Sequence, residues 1–273
     1  MQTERFPSSF HAAAGRSVLV AVLYGLLSVM QSFAGASEVD EGPSARRRYI
    51  GVILSYDVAV SAGSFSTACD CGYGEGSGAG PTAGLQFDMA INEQFRFAVA
   101  GLYRRLDATY ETAETRITYI ADLGMYRPID FARRVELSYS WFGVLASAEW
   151  RPWQAPLHFA AGLSLGYLGG DHLLETERIQ TAGIGYPETG TADRTYHDGA
   201  FDALTAADGS KVLPVRRLQV GLEAAVGYDI RIGTDTYLAP RVSLSYPLTS
   251  LSTNAPSWSQ PRVGFGLLIR FGL

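Results

Sequence analysis

Residues 217–232 alternate strictly between two kinds of side chain, and this segment limits the folds open to the chain more than any other. Every second residue is apolar: Leu218, Val220, Leu222, Ala224, Val226, Tyr228, Ile230 and Ile232. A period of two is that of a β-strand, whereas a helix would scatter the same apolar groups around its circumference. Ordinary strands average about 5–6 residues, but a tilted strand that crosses a bilayer needs about 9–11 with this alternation. The segment therefore predicts a transmembrane β-strand.

Seven other segments alternate in a similar way, which gives eight predicted strands. They comprise residues 48–58, 82–91, 95–106, 134–150, 157–168, 237–248 and 261–273. The connections between them alternate in length: 92–94, 151–156 and 233–236 are short, and 59–81, 107–133, 169–216 and 249–260 are long. Outer-membrane barrels have short periplasmic turns, long external loops and an even number of strands. The sequence therefore predicts an all-β fold, a closed antiparallel up-and-down transmembrane β-barrel of eight strands, with ten strands as the alternative.

Two of the predicted strands contain residues that do not fit a regular strand. In the fourth strand, Leu137 and Trp141 favour one outward face, whereas Phe142 and Val144 favour the other. A β-bulge near Trp141 and Phe142 would reconcile them, because one extra residue switches the face to which side chains point. In the seventh strand, Pro240 lacks a ladder donor and counts against a strand unless it lies near the start.

The N-terminal segment resembles a secretory signal peptide. Residues 17–29 form an apolar run behind a weakly basic start, and Ala34, Gly35 and Ala36 fit a small-residue cleavage pattern. The alternative is a single membrane anchor, for which the apolar run is short. We therefore expect a cleaved signal peptide at residues 1–36, a polar lead-in at 37–47 and the barrel domain at 48–273.

The composition excludes two other classes of protein. The formal net charge is −5, which gives no support to nucleic-acid binding. After the N-terminus no window holds about 18 uncharged apolar residues, so the sequence predicts no membrane-spanning helix there.

The inward positions of the predicted strands carry many charges. These residues are Asp57, Asp88, Arg96, Arg104, Glu223, Asp229, Arg231, Arg241 and Arg270. Eight strands leave an interior just wide enough for side chains, where isolated charges are too costly. We therefore predict a plugged lumen that is held by ion pairs. A gated narrow pore that uses the same charges is the alternative.

The sequence gives little support to catalysis or to cofactor binding. The glycine-rich residues 72–84 lack the strand and helix that a phosphate-binding loop needs, so an external loop is the better interpretation. Cys69 and Cys71 are too few for a zinc site, and a disulfide between them would be strained. Free thiols or a bond to another chain stay open. His158 and Ser164 lie six positions apart on one predicted strand, roughly 20 Å, too far for a catalytic dyad. We predict no catalytic residue, metal or cofactor.

The last strand and the tyrosines indicate a family. Tyr56, Tyr103, Tyr167 and Tyr246 recur near the loop-side ends of four predicted strands, where an interfacial aromatic girdle belongs. The run GFGLLIRF at 264–271 resembles the C-terminal signal that barrel-insertion machinery recognises, with Gly266, Ile269 and Phe271 as its residues. The architecture of residues 48–273 resembles the small outer-membrane barrels of the OmpA and OmpX kind.

This resemblance implies a location and partners. It implies an outer-membrane protein in contact with membrane lipid and insertion machinery, and an extracellular ligand of its long loops. We expect a non-enzymatic envelope protein that acts as a scaffold or through those loops. A narrow porin-like channel is the alternative, and an outer-membrane lipid-modifying enzyme is a weaker one.

Overall fold

The computed structural model describes residues 48–67, 72–120, 124–152, 155–187, 189–205 and 209–273. All of them belong to one compact unit, Ser44–Leu273. The predicted signal peptide, the lead-in and both cysteines lie outside the described residues, so those interpretations stay predictions.

Eight long strands form a single closed sheet. They are β1 (Arg48–Val60), β2 (Gly76–Ala90), β3 (Phe95–Ile120), β4 (Met125–Trp150), β5 (Leu157–Ile179), β6 (Leu218–Tyr228), β7 (Thr236–Pro247) and β8 (Arg262–Gly272). Each strand pairs antiparallel with its neighbours in sequence. The last strand returns to the first, with Val52 opposite Ile269. The predicted closed up-and-down barrel of eight strands is therefore confirmed, and it has no free edge at its waist.

The outer surface of the barrel carries an apolar band. On β3 the outward side chains are apolar or small from Phe95 to Tyr103 and polar from Arg105 to Glu111. On β4 they are apolar from Trp150 back to Phe142. At about 3.3 Å per residue and a tilt of about 40°, such segments span roughly 20 Å along the barrel axis, close to the height of about 25 Å that the lipid-facing band has in membrane barrels. We call the end with short connections the turn end, and the other the loop end.

The strands continue well past the band at the loop end, where the polarity of their faces reverses. β3 and β4 together include most of residues 107–133, which the sequence analysis treated as a connection. Nearest the band in this part, the inward residues are mostly apolar, among them Tyr110 and Leu137, and the outward ones mostly polar. The reversal explains the fourth strand: Trp141 points inward and Phe142 outward in one unbroken alternation.

The predicted bulge near Trp141 and Phe142 is therefore wrong. The register shift lies in the pairing of β4 with β5, between Ser138 and Ser140. The extra residue belongs to β5, where Gly170 has a φ of 56°. Glycine adopts this left-handed conformation without strain, and it commonly marks a bulge.

Two irregularities at the turn end also have local reasons. The β6–β7 ladder runs to Gly227 opposite Arg241 and resumes with Ile230 opposite Leu238. Pro240 lies opposite the gap, where no donor toward β6 is required, so a proline fits in the middle of β7. Asp229 occupies the gap on the other side, and its backbone N–H donates to the Pro156 carbonyl at 2.9 Å.

The long connections are folded rather than uniformly polar. The short strands Phe65–Ser66 and Gly72–Tyr73 pair with each other, and Asp193–Gly199 pairs with the outer part of β5. A short 3₁₀ helix covers Phe201–Ala203. No helix in the part of the chain that the structure describes is long and apolar enough to cross a membrane.

Candidate functional site

The lumen near the turn end contains a dense cluster of charges, which we call the lower charged layer: Asp88, Arg96, Glu149, Arg151, His158, Asp229 and Arg270. Arg270 is its centre, with 1% of its surface exposed. Its Nε lies 3.0 Å from Asp88 Oδ2, its Nη1 lies 2.8 Å from Asp229 Oδ1, and its Nη2 donates to Glu149. One guanidinium group thus connects four parts of the barrel: strands β2, β4 and β8 and the end of β6.

Two more side chains from the start of β5 and the turn before it complete this layer. The Arg151 guanidinium lies 2.8 Å from Glu149 and also donates to Asp229. The imidazole of His158 lies between the same two carboxylates, with Nδ1 3.5 Å from Asp229 and Nε2 3.9 Å from Glu149. Such buried charges persist only when they are paired and hydrogen-bonded, so this layer locks the turn end of the lumen.

An apolar layer lies next along the lumen. It consists of Ile53, Ala100, Leu102, Trp141, Leu145, Ala239 and Leu268. The Trp141 indole has room because its neighbours are Gly143 and Gly166, where an added Cβ would collide with the ring. Large side chains therefore pack across this level of the barrel.

Above it lies the upper charged layer: Asp57, Arg104, Glu223, Arg241 and Arg262. Arg104 Nη1 donates to Glu223 Oε1 at 2.8 Å, and its guanidinium lies 4.9 Å from the Trp141 ring centre. Asp57 accepts from Thr82 at 2.7 Å. The layer surrounds a cavity of about 30 Å³.

The structure places eight of the nine charges selected from the sequence in or against these two layers. Arg231 is exposed instead, and it donates to the carbonyl groups of Gly233 and Thr234 in the next turn. The break at Asp229 ends the regular alternation there. Glu149 and Arg262 are lumen charges outside the nine selected from the sequence, although the phase of their strands places both inward once Phe142 and Phe271 point outward.

The loop end is closed by a hydrophobic core, which we call the cap. Three long connections contribute to it. The β1–β2 connection supplies Phe65 and Tyr73, the β5–β6 connection supplies Phe201, Leu204 and Leu213, and the β7–β8 connection supplies Leu251, Ala255 and Trp258. The fully buried Trp258 stacks on Phe65 with ring centres 4.2 Å apart, and its Nε1 donates to the Tyr110 hydroxyl at 3.0 Å. The long connections predicted from the sequence thus contribute apolar residues to a buried core at the loop end.

An outer sheet projects beyond the apolar band. It consists of the distal halves of β3, β4 and β5 with Asp193–Gly199. Residues 105–120 of β3 alone extend roughly 50 Å along the strand. One face packs Ile129, Phe131 and Ile179 against Tyr186 of the β5–β6 connection.

A polar cluster around Glu177 fixes this connection to the sheet. The Glu177 carboxylate accepts hydrogen bonds from Arg133 and Tyr186, and from the Tyr196 hydroxyl at 2.8 Å. Burial raises the pKa of the Glu177 carboxyl, but these hydrogen bonds more than offset it and hold that pKa below its ordinary value. The cluster therefore holds an ionised carboxylate at neutral pH.

The far end of the outer sheet carries an exposed apolar patch, which we call the tip patch: Ile117, Tyr119, Tyr126 and Pro128. Register places Tyr119 opposite Tyr126 and Ile117 opposite Pro128, all on one face. Ile117 is 76% exposed and Tyr126 73%, and the two tyrosine rings lie 5.2 Å apart. A cluster of large apolar side chains in water is typical of an interaction surface.

Two further observations concern ligands. A cleft of about 410 Å³ opens on the cap, between Phe65, Leu213 and Pro256. Within the described ranges, no group of three or more histidine, cysteine, aspartate or glutamate side chains is placed to hold a metal ion.

Comparisons with known proteins give structural similarities only. No family model and no curated protein matches the chain. Among solved structures, Neisserial surface protein A has 14% identity and a TM-score of 0.32, over 83% of this chain and 97% of that one. Ail of Yersinia pestis has 9% identity and a TM-score of 0.33, over 82% and 99%. OprG of Pseudomonas aeruginosa has 8% identity and a TM-score of 0.34, over 84% and 98%. Similarity this low does not determine what the chain binds.

Proposed function

We propose that this chain is an integral outer-membrane β-barrel, neither an enzyme nor a pore, that presents its outer sheet to binding partners at the cell surface. The tip patch carries the proposal, because Ile117, Tyr119, Tyr126 and Pro128 expose apolar surface at the point farthest from the band. A contiguous group of exposed apolar side chains is uncommon on a protein surface and marks an interaction site.

The apolar band supports the membrane location. Its outward side chains are apolar at roughly the height of a hydrocarbon core, and the strands become polar on both sides. Short turns face the periplasm in such barrels, so the outer sheet and the cap face the exterior. Ile269 and Phe271 point outward on the last strand, where insertion machinery could bind them together with Gly266.

The filled lumen favours a surface role over the channel alternative. Two charged layers, one apolar layer and the cap occupy its length, and the cavity of about 30 Å³ holds only one or two water-sized molecules. We expect purified protein in planar bilayers to show no steady conductance above the background of an empty membrane.

The surface role can be tested by adhesion. We expect bacteria that display the chain to adhere several-fold better to a coating of matrix glycoprotein or mucin than cells without it. The double variant Tyr119→Ser with Tyr126→Ser should lose this gain, because it removes the apolar surface at the tip while keeping the backbone. Cell counts on the coated surface give the measurement, with equal surface display checked by antibody.

The matched control changes the same face of the same two strands nearer the band. Glu111 lies opposite Arg134 there, and Glu111→Gln with Arg134→Gln should leave adhesion unchanged. Equal adhesion by the tyrosine variant and the parent would contradict a role for the tip patch, and steady conductance would support the channel instead.

A further inference from the structure

The upper charged layer has more positive than negative groups around one cavity. Arg104, Arg241 and Arg262 face only two carboxylates, Asp57 and Glu223. Glu223 is already bound by Arg104 at 2.8 Å and by the Ser245 hydroxyl at 3.0 Å. Asp57 accepts from the hydroxyl groups of Thr82 and Ser55 instead of an arginine.

Two of the three arginines lack an anionic partner. Within the described ranges, neither Arg241 nor Arg262 has a carboxylate oxygen within 4.0 Å. Arg262 is only 9% exposed and Arg104 only 6%, and the Nε–H group of each is buried without an acceptor. Donors that are this well buried normally have partners, so these point to an acceptor in the cavity.

The rest of the lumen does not supply that acceptor. The lower charged layer offers Asp88, Glu149 and Asp229, but Arg151 and Arg270 already bind these carboxylates. The apolar layer, with Ile53, Leu102 and Leu145 at the cavity wall, separates the two layers. An excess charge enclosed in this way is costly, since low-dielectric surroundings strengthen its electrostatics.

We propose that the cavity is a binding site for one small monovalent anion, of the halide class. Three arginines against two carboxylates leave one excess positive charge, which a single monovalent ion neutralises. Guanidinium groups of Arg241 and Arg262 supply the charge, and the Ser243 hydroxyl lines the same wall. The bound anion neutralises the excess charge and holds β7 and β8 against β1 and β3.

The first test uses bromide as the probe. The full-length mature protein is refolded from urea in sodium bromide, so that the ion can enter before the barrel closes, and is then crystallised. Anomalous diffraction should show bromide between Arg241 and Arg262. A cavity without bromide density would overturn the proposal, whatever the stability measurements show.

The second test measures folding equilibria in lipid vesicles in sodium chloride and in sodium gluconate at equal ionic strength. Each tenfold rise in chloride above its dissociation constant should raise the folded-to-unfolded ratio up to tenfold, whereas gluconate should have no such effect. Arg241→Met should abolish the difference between the salts, and Arg241→Lys should keep it.

The control is Arg134→Met, which removes an exposed outward arginine and should respond to chloride as the parent does. Equal stability of the parent in both salts would overturn the proposal. If Arg241→Met does not fold, the bromide density and the chloride dependence of the parent still decide the question.

Discussion

Arg270→Met should prevent stable folding of the barrel, with a loss of about 3–5 kcal/mol in the free energy of unfolding. The wild-type guanidinium contacts Asp88, Glu149 and Asp229. Methionine would leave the Asp88 carboxylate without an ion pair among the described residues, and Glu149 and Asp229 with Arg151 alone. Methionine fills a similar volume, so the loss of stability would come from the unpaired charges and not from a new cavity. Urea titration in lipid vesicles, followed by the gel mobility of folded protein, gives the measurement.

Two variants separate the ion pairs from a general effect of losing an arginine. Arg134→Met should change the free energy by less than about 0.5 kcal/mol, because the Arg134 side chain is 52% exposed. Adding Asp229→Asn to Arg270→Met should recover part of the loss, since it removes one of the three buried negative charges that Arg270 neutralises. Full stability of Arg270→Met would contradict the assignment of Arg270 as the centre of the lower charged layer.

Leu163→Arg should cost roughly 2–4 kcal/mol. Leu163 points outward near the middle of the band segment of β5, between Leu157 and Tyr167, and is 56% exposed on the isolated barrel. The charge would lie close to the bilayer midplane, where arginine is most costly. The same vesicle titration measures the loss.

The control for Leu163→Arg is Ala113→Arg, on the outward face of β3 beyond the band. There the new charge would be in water, and the free energy should change by less than about 0.5 kcal/mol. Equal losses for the two variants would show that the band does not contact lipid.

The sequence was sufficient for the part of the fold that lies in the band. Strict alternation in β6 set its phase, and the structure places Leu222 outward and Glu223 inward as expected. The phase can be predicted because side chains that face lipid are apolar, whereas those that face a narrow polar lumen are small or polar. Beyond the band the outer face of the sheet contacts water instead of lipid. Apolar side chains such as Tyr110 and Leu137 therefore point inward there.

The cap and the ion pairs required three-dimensional information. Phe65 and Trp258 lie far apart in the sequence, inside loops without periodicity, and their stacking follows only from the path of those loops. Likewise, the sequence placed Arg270 and Asp229 inside without showing that they meet, because contacts across the lumen depend on the register of the whole barrel.

The most direct test of the account is the accessibility of nitroxide labels at outward positions of β3, one at a time, from Phe95 to Tyr119. Cys69 and Cys71 would first be replaced by serine, and the labelled protein folded into lipid vesicles. Labels from Phe95 to Tyr103 should collide with oxygen dissolved in the bilayer, and labels from Arg105 onward with a water-soluble nickel complex. A single crossover between Tyr103 and Arg105 is the predicted result. Two results would contradict a barrel whose outer sheet lies in water above a lipid-facing band. One is collision with oxygen for every label up to Tyr119, and the other is collision with the nickel complex for every label.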